Sequence, residues 1–203
     1  ADVTAELAGF EQNVSIAAVN SRRSTVISGD KGCVTEFVAR FNARGVFSRA
    51  VNVDVASHSP QMEPLLEPLR GGLTGLAPRD GALPLHSTVE ARPLPGRELG
   101  IDYWARNLRS TVRFASVVRD LLAGGPVTFV ELSPHPALLA AIQQEQQALG
   151  SDGPRIPSLL RDIDGELAFQ SALANLHVAG HAVQWRAAFD GRRKLVELPG
   201  YPW

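Results

Sequence analysis

Cysteine is almost missing from this 203-residue chain, in which Cys33 stands alone. A lone thiol excludes an internal disulfide framework and a cysteine-built zinc site, and it fits a reducing, cytoplasmic compartment. Excess charge is missing too: the formal net charge is −1 at pH 7. That balance points away from nucleic acid, and no basic amphipathic run suggests a membrane surface. No apolar run approaches the ~20 residues that a membrane-spanning helix needs, and no secretory signal opens the chain. Lys31 and Lys194 are the only lysines, so arginine carries nearly all the basic charge. Histidines are few and scattered. His177 and His181 alone have the i, i+4 spacing, and Gly180 between them breaks the helix that would present both to a metal, so no metal site is expected. Three catalytic signatures are also absent: the G-x-S-x-G nucleophile elbow, the P-loop and G-x-G-x-x-G. Ser28, Ser57 and Ser133 all lack the flanking glycines of an elbow.

What remains is an ordinary globular composition, 44% apolar and 20% charged, long enough for one or two domains with a real core. Residues 2–12 read as a short helix. Residues 14–19 and 24–28 read as strands joined through Asn20-Ser21-Arg22-Arg23, a plausible hairpin. Residues 30–44 read as a helix, with Val34, Phe37, Val38 and Phe41 at i, i+3, i+4 and i+7 and Gly45 at its end. This opening order resembles a ferredoxin-like split βαβ unit without its first strand. The chain is therefore expected to start inside a subdomain of something longer. Further on, residues 83–89 read as a strand and 92–100 as loop. Residues 103–122 read as one long helix with Trp104, Leu108, Val112, Ala115, Val118 and Leu122 on its buried face. A buried strand is expected at 127–132, a helix at 137–149 and a last strand at 156–160. A final helix should pack Phe169, Ala172, Leu173 and Leu176 on the core, with Trp185 and Phe189 against it. From residue 59 onward the alternation of α and β implies an α/β layered domain with a mostly parallel sheet. Residues 191–203 look like an extended tail.

Chemistry concentrates at 51–63, VNVDVASHSPQME. Val51, Val53 and Val55 alternate with polar and small residues as in a half-buried strand. Ser59-Pro60 then reads as a helix start, with Ser59 as N-cap and Pro60 at the first helical position. His58 sits on the turn between them, where functional side chains concentrate. It is a candidate general base, with a purely structural histidine as the alternative. Cys33 falls beside the apolar face in the first turn of a helix, where a thiol is inert. The residues alone thus offer a base and no nucleophile.

Six blocks in order carry a resemblance: AAVNSRRSTVISGD, VNVDVASHSPQME, LPLHSTV, YWARNLRSTVRF, FVELSPHPAL and the terminal LPGYPW. Together they make the chain resemble the C-terminal part of the acyltransferase domain of modular type I polyketide synthases, related to malonyl-CoA:ACP transacylases. The resemblance implies an α/β-hydrolase-like large subdomain with an inserted ferredoxin-like small subdomain, truncated here at the N-terminus. It divides the chain into the small subdomain at 1–54, the C-terminal part of the large subdomain at 55–165, a closing helix at 166–190 and a linker at 191–203. It implies ping-pong transfer of an extender acyl group from acyl-CoA to the phosphopantetheine of an acyl carrier protein, with no cofactor held directly. Partners would be that carrier protein, the ketosynthase and other domains of the same synthase, and the N-terminal half of the acyltransferase domain.

By the same resemblance His58 matches the catalytic histidine, and Asn107 the position whose main-chain carbonyl orients it in place of a triad aspartate. The nucleophilic serine has no counterpart in this chain, which alone is expected to be inactive. Val55, Ala56 and Ser57 match the residues that select the extender. YASH accompanies methylmalonyl and HAFH malonyl, so VASH favours methylmalonyl, with malonyl and ethylmalonyl as alternatives. Asn20 and His86 are candidate cleft-lining residues. His135 belongs to a turn of the fold, and Tyr201 and Trp203 to the end of the linker. The competing readings are a non-catalytic docking module and an unrelated α/β-hydrolase fragment.

Overall fold

A computed structural model describes residues 3–188 and 197–200. Phe189, the basic run at 191–194, Tyr201 and Trp203 lie outside the described residues. The chain divides into two compact units: Ala1–Val127 with Ala140–Asp152, and Thr128–Leu139 with Gly153–Trp203.

The first unit opens with a short helix α1 (Val3–Glu6) and the antiparallel hairpin β1 (Val14–Ser21) and β2 (Ser24–Gly29). The register Ser21↔Ser24 leaves Arg22-Arg23 as a two-residue turn, tighter than the four-residue connection expected. That turn is fixed by a buried glutamate of α6 (Leu139–Leu149): Glu145 Oε1 accepts from the Arg22 N–H at 2.6 Å. Helix α2 (Lys31–Ala43) follows. The Asp30 carboxylate caps it by accepting from the Cys33 N–H at 3.0 Å. It ends as the glycine signal implies: Gly45 has φ 73°, its N–H meets the Asn42 carbonyl, and the Val46 N–H meets that of Phe41. Those two bonds satisfy carbonyls that the helix end would otherwise orphan. Phe37 and Phe41 join Leu7 and Val14 in the core, and the Phe10 ring stands edge-on to Phe37 at 5.1 Å.

The cap gives a pH signature. The Cys33 backbone and side-chain hydrogen bonds hold the Asp30 carboxyl below its ordinary value. A carboxylate lowered in the folded state stabilises above its unfolded pKa, and the stabilisation is lost as pH falls through the lowered value. Asn caps nearly as well as Asp but carries no charge. Denaturation of Asp30→Asn and the parent should therefore differ at about pH 7 and converge as pH falls through the lowered value. In the same turn, partial burial and the Asp30 carboxylate push the Cys33 thiol up, which keeps it in the unreactive protonated form.

Three departures from the sequence reading matter for function. First, 51–55 form no strand, and Val51, Val53 and Val55 are 64%, 67% and 54% exposed. Among the described residues no strand lies beside this stretch, so its period-2 pattern meets no ladder and no apolar surface. Second, the long helix is two: α4 (Ile101–Arg109) and α5 (Phe114–Ala123), separated by an extended segment at 110–113. The segment spends its backbone groups sideways. Val112 N–H donates to the Ala17 carbonyl at 2.8 Å, the Val19 N–H donates to the Val112 carbonyl at 2.9 Å, and Thr111 Oγ1 donates to the Ile16 carbonyl at 2.6 Å. Val112 thus adds a bridge to the free edge of β1. A Ser-Thr-Val run gives up helix more readily than its neighbours, because hydroxyls compete for backbone groups and β-branching restricts χ1. Third, 92–100 is not all loop: β4 (Arg92–Leu94) pairs antiparallel with β3 (Leu85–Ser87).

At Pro60–Met62 a 3-10 turn leads into α3 (Glu63–Gly72), which packs on α4. Gly71 and Gly72 are its last two residues, and Leu73 caps it.

The second unit holds the one parallel pair among the described residues, β5 (Phe129–Glu131) with β6 (Arg155–Pro157). Among the described residues the sheets are therefore three two-stranded pieces, not one mostly parallel sheet. Its last strand lies earlier than expected, and β5 is exposed at Val130, not buried. The turn after β5 is organised by Glu131. Its carboxylate accepts from the N–H groups of Ala137, Leu138 and Leu139 at 2.8, 3.0 and 3.1 Å. Helix α7 (Gly165–Val178) is capped by Asp164 and buries Ala168 and Ala172, while Phe169 stays half exposed. The short α8 (Trp185–Ala188) sets Trp185 edge-on to the His177 ring at 5.6 Å.

Candidate active site

His58 occupies the turn between the extended 51–57 stretch and Pro60–Met62. Its φ is 62°, a left-handed conformation rare for a residue with a bulky side chain and costly by ~1–2 kcal/mol. Such a conformation persists only where the surroundings over-determine it. Here the segment joining α4 to α5 supplies two ties. The His58 N–H donates to the Leu108 carbonyl at 2.9 Å. The ring Nδ1 lies 2.8 Å from the Ser110 carbonyl oxygen. A carbonyl only accepts, so Nδ1 carries the proton, and in the neutral ring the lone pair is on Nε2. The half-buried ring is thereby held through its Nδ1–H, with Nε2 on its far side.

This corrects the expectation for Asn107. The carbonyl on the imidazole belongs to Ser110, three residues further on, and Asn107 sits within α4. Had the helix continued, the Ser110 carbonyl would have been spent inside it. The break at 110–113 frees it, and the β1 edge holds it in place. Ser110 was missed because a main-chain acceptor leaves no trace in residue type. The available signal was the Ser-Thr-Val run in a stretch otherwise read as helix.

The two walls of the turn are tied by an ion pair, Arg109 Nε to Glu63 Oε1 at 2.6 Å. Glu63 is mostly exposed, so this pair contributes ~1 kcal/mol at most. Ser59 is fully buried and stands at the N-cap position with Pro60 after it, as the sequence implies. Its hydroxyl, however, does not cap the helix. It turns back to lie 2.6 Å from the Ala56 carbonyl oxygen and 2.7 Å from Gln61 Oε1. Gln61 Nε2 in turn donates to the Asn13 carbonyl at 3.0 Å.

The other candidates are spread out. Val55, Ala56 and Ser57 lead directly into His58, Val55 exposed and the other two half-buried. Asn20 lies near the end of β1, and His86 is on β3 opposite Pro93. His135 accepts a long hydrogen bond, 3.4 Å, from the Arg161 N–H. His181 Nε2 is 2.9 Å from Thr128 Oγ1, while His177 faces Trp185. Among the described residues no three His, Cys, Asp or Glu side chains group to hold a metal ion, and no helix is long and apolar enough to cross a membrane.

The left-handed His58 is thus held from two sides by the segment that joins α4 to α5. The sequence pattern of the family described as acyl transferase domain matches residues 1–183, and the chain belongs to that family, in the branch found in modular polyketide synthases. It is 44% identical over 182 residues to the spectinabilin polyketide synthase system protein NorA of Streptomyces orinoci, covering 89% of this chain and 10% of that protein. It is 40% identical over 205 residues to the erythronolide synthase EryA2 of Saccharopolyspora erythraea, covering 100% of this chain and 6% of that protein. Among solved structures, the acyltransferase domain from module 8 of the salinomycin polyketide synthase matches with a TM-score of 0.87 at 38% identity, over 91% of this chain and 44% of that one. A loading acyltransferase from the avermectin modular polyketide synthase matches with a TM-score of 0.77 at 41% identity, over 81% of this chain and 51% of that one. The chain thus spans a small part of the synthases and about half of the solved domains.

Proposed function

We propose that this chain is the base-bearing part of an acyltransferase domain that moves a methylmalonyl extender unit from CoA to the phosphopantetheine thiol of an acyl carrier protein. The observation that carries the reading is the His58 clamp: Nδ1–H held on the Ser110 carbonyl at 2.8 Å, with Nε2 left as the base. A serine nucleophile from outside these residues would attack the thioester carbon and give its proton to Nε2. The C–S bond to CoA then breaks, and the proton leaves with the CoA sulfur. In the second half-reaction Nε2 takes the proton of the phosphopantetheine thiol, the new C–S bond forms, the serine ester C–O bond breaks and the proton returns to the serine oxygen. The Ser110 carbonyl fills the orienting role expected of Asn107. It fixes tautomer and ring direction and faces the imidazolium as it forms, as a triad carboxylate would. On this reading 1–54 belong to the small subdomain and 55–165 to the large one, the ketosynthase is a neighbour in the same synthase, and Asn20 and His86 line the acyl cleft.

Selectivity follows from size. Ser57 beside His58 leaves space where a phenylalanine ring would meet an α-methyl branch, and Val55 is smaller than the tyrosine common at its position. One methyl group in a pocket is worth ~1–3 kcal/mol. In the complete domain, Ser57→Phe should therefore shift the ratio of kcat/KM for methylmalonyl-CoA over malonyl-CoA toward malonyl by about 10–100-fold. Radiolabel transfer to carrier protein from each CoA ester measures it. Faster loading from malonyl-CoA by the unaltered domain would overturn the methylmalonyl assignment.

A further inference from the structure

We infer that Ser59 is a positioning residue for His58: its hydroxyl closes the turn that keeps the imidazole on the Ser110 carbonyl. Three observations converge. His58 holds φ 62°, a conformation that relaxes toward negative φ unless both flanks are fixed. One flank is fixed by the Leu108 and Ser110 carbonyls. The other is fixed by a side chain. Ser59 is 0% exposed, and its hydroxyl faces the Ala56 carbonyl at 2.6 Å instead of a helix N–H. A serine at a helix start ordinarily accepts from the first-turn backbone. Here that role is given up, and the hydroxyl spans the four residues Ala56 to Ser59 that contain the base.

Gln61 fixes the hydroxyl's direction. Its Oε1 sits 2.7 Å from Ser59 Oγ, so one proton faces two acceptors, and its amide anchors to the Asn13 carbonyl just ahead of β1. Ser59 therefore ties the base and the selector residues Ala56 and Ser57 into one closed loop, and ties that loop to the hairpin. Loss of the hydroxyl frees the His58 backbone, lets the ring leave Ser110 and releases the tautomer. The inference rests on His58 being the base, yet its primary readout does not require turnover.

Long-range 1H–15N spectra of the His58 ring in this chain report the tautomer directly. Ser59→Ala should convert His58 from the Nδ1–H form to a mixture of tautomers. In the complete acyltransferase domain the same change should lower kcat for acyl transfer about 10-fold. Ser59→Thr, which keeps the hydroxyl, should restore both. If Ser59→Ala does not fold, Ser59→Cys keeps nearly the same volume with a weak donor and is read in the same way. A folded Ser59→Ala or Ser59→Cys protein with an unchanged Nδ1–H spectrum and unchanged kcat overturns the inference, even if its Tm falls. Failure of the base assignment shows elsewhere, as an active His58→Ala domain.

Discussion

Replacing His58 by alanine should slow acyl transfer by the complete acyltransferase domain about 10²–10⁴-fold, the range that a positioned general base supplies. The magnitude follows from the clamp. With Nδ1–H on the Ser110 carbonyl, Nε2 is the ring nitrogen that takes the proton on the proposed reading, and it is held in a single direction. A serine hydroxyl is a poor nucleophile until its proton has somewhere to go, and in the proposed mechanism the same nitrogen serves the carrier-protein thiol in the second half-reaction. Both half-reactions should therefore suffer. Single-turnover acylation by acyl-CoA and transfer to carrier protein, measured separately, would each show the loss. A variant that keeps more than about a third of the wild-type rate in either step would remove His58 from that step.

The largest loss of stability should come from Gly29→Ala, at ~3 kcal/mol or more. An added Cβ would lie 2.1 Å from the Asn13 carbonyl oxygen and 2.7 Å from Val14 Cα, with φ at 156°. Both obstacles are backbone, so no rotamer change relieves them. The Asn13 oxygen also accepts from the Asp30 N–H at 2.8 Å and from Gln61 Nε2 at 3.0 Å. Pushing it aside loosens the α2 cap and the Ser59–Gln61 link together. Gly45→Ala makes the comparison, since its Cβ would meet nothing within 4 Å and only its φ of 73° is at stake, a cost of ~1 kcal/mol. Urea unfolding of the two variants separates close approach from conformational preference. Equal losses would mean that the contact at Asn13 is relieved by a backbone shift.

Legibility in the sequence tracked how local each interaction is. The hairpin, α2 with its Asp30 and Gly45 ends, and the turn bearing His58 are decided by neighbours within a few residues, and the sequence places them well. Residues 51–55 read as a strand because alternating valines describe a face, and a face becomes a strand only beside a partner strand. Residues 103–122 read as one helix because Trp104, Leu108, Val112, Ala115, Val118 and Leu122 keep helical spacing through the break. What overrides it is the edge of β1, some ninety residues earlier in the chain. The Asn107 expectation failed for the same reason, since the phase of the backbone at 107–110 depends on where the helix stops.

Because the clamp on His58 is a main-chain oxygen, no change of side chain at Ser110 deletes it. A family comparison that scores residue identity would leave that position free to drift, while the atom it contributes never changes. What selection can act on is the place where the oxygen stands. That place is set by Ala17 and Val19 on β1, which hold Val112, and by Ile16, which holds Thr111. Substitutions that shift this hairpin edge by a fraction of an ångström, with no group near the imidazole, would move the carbonyl that holds the ring.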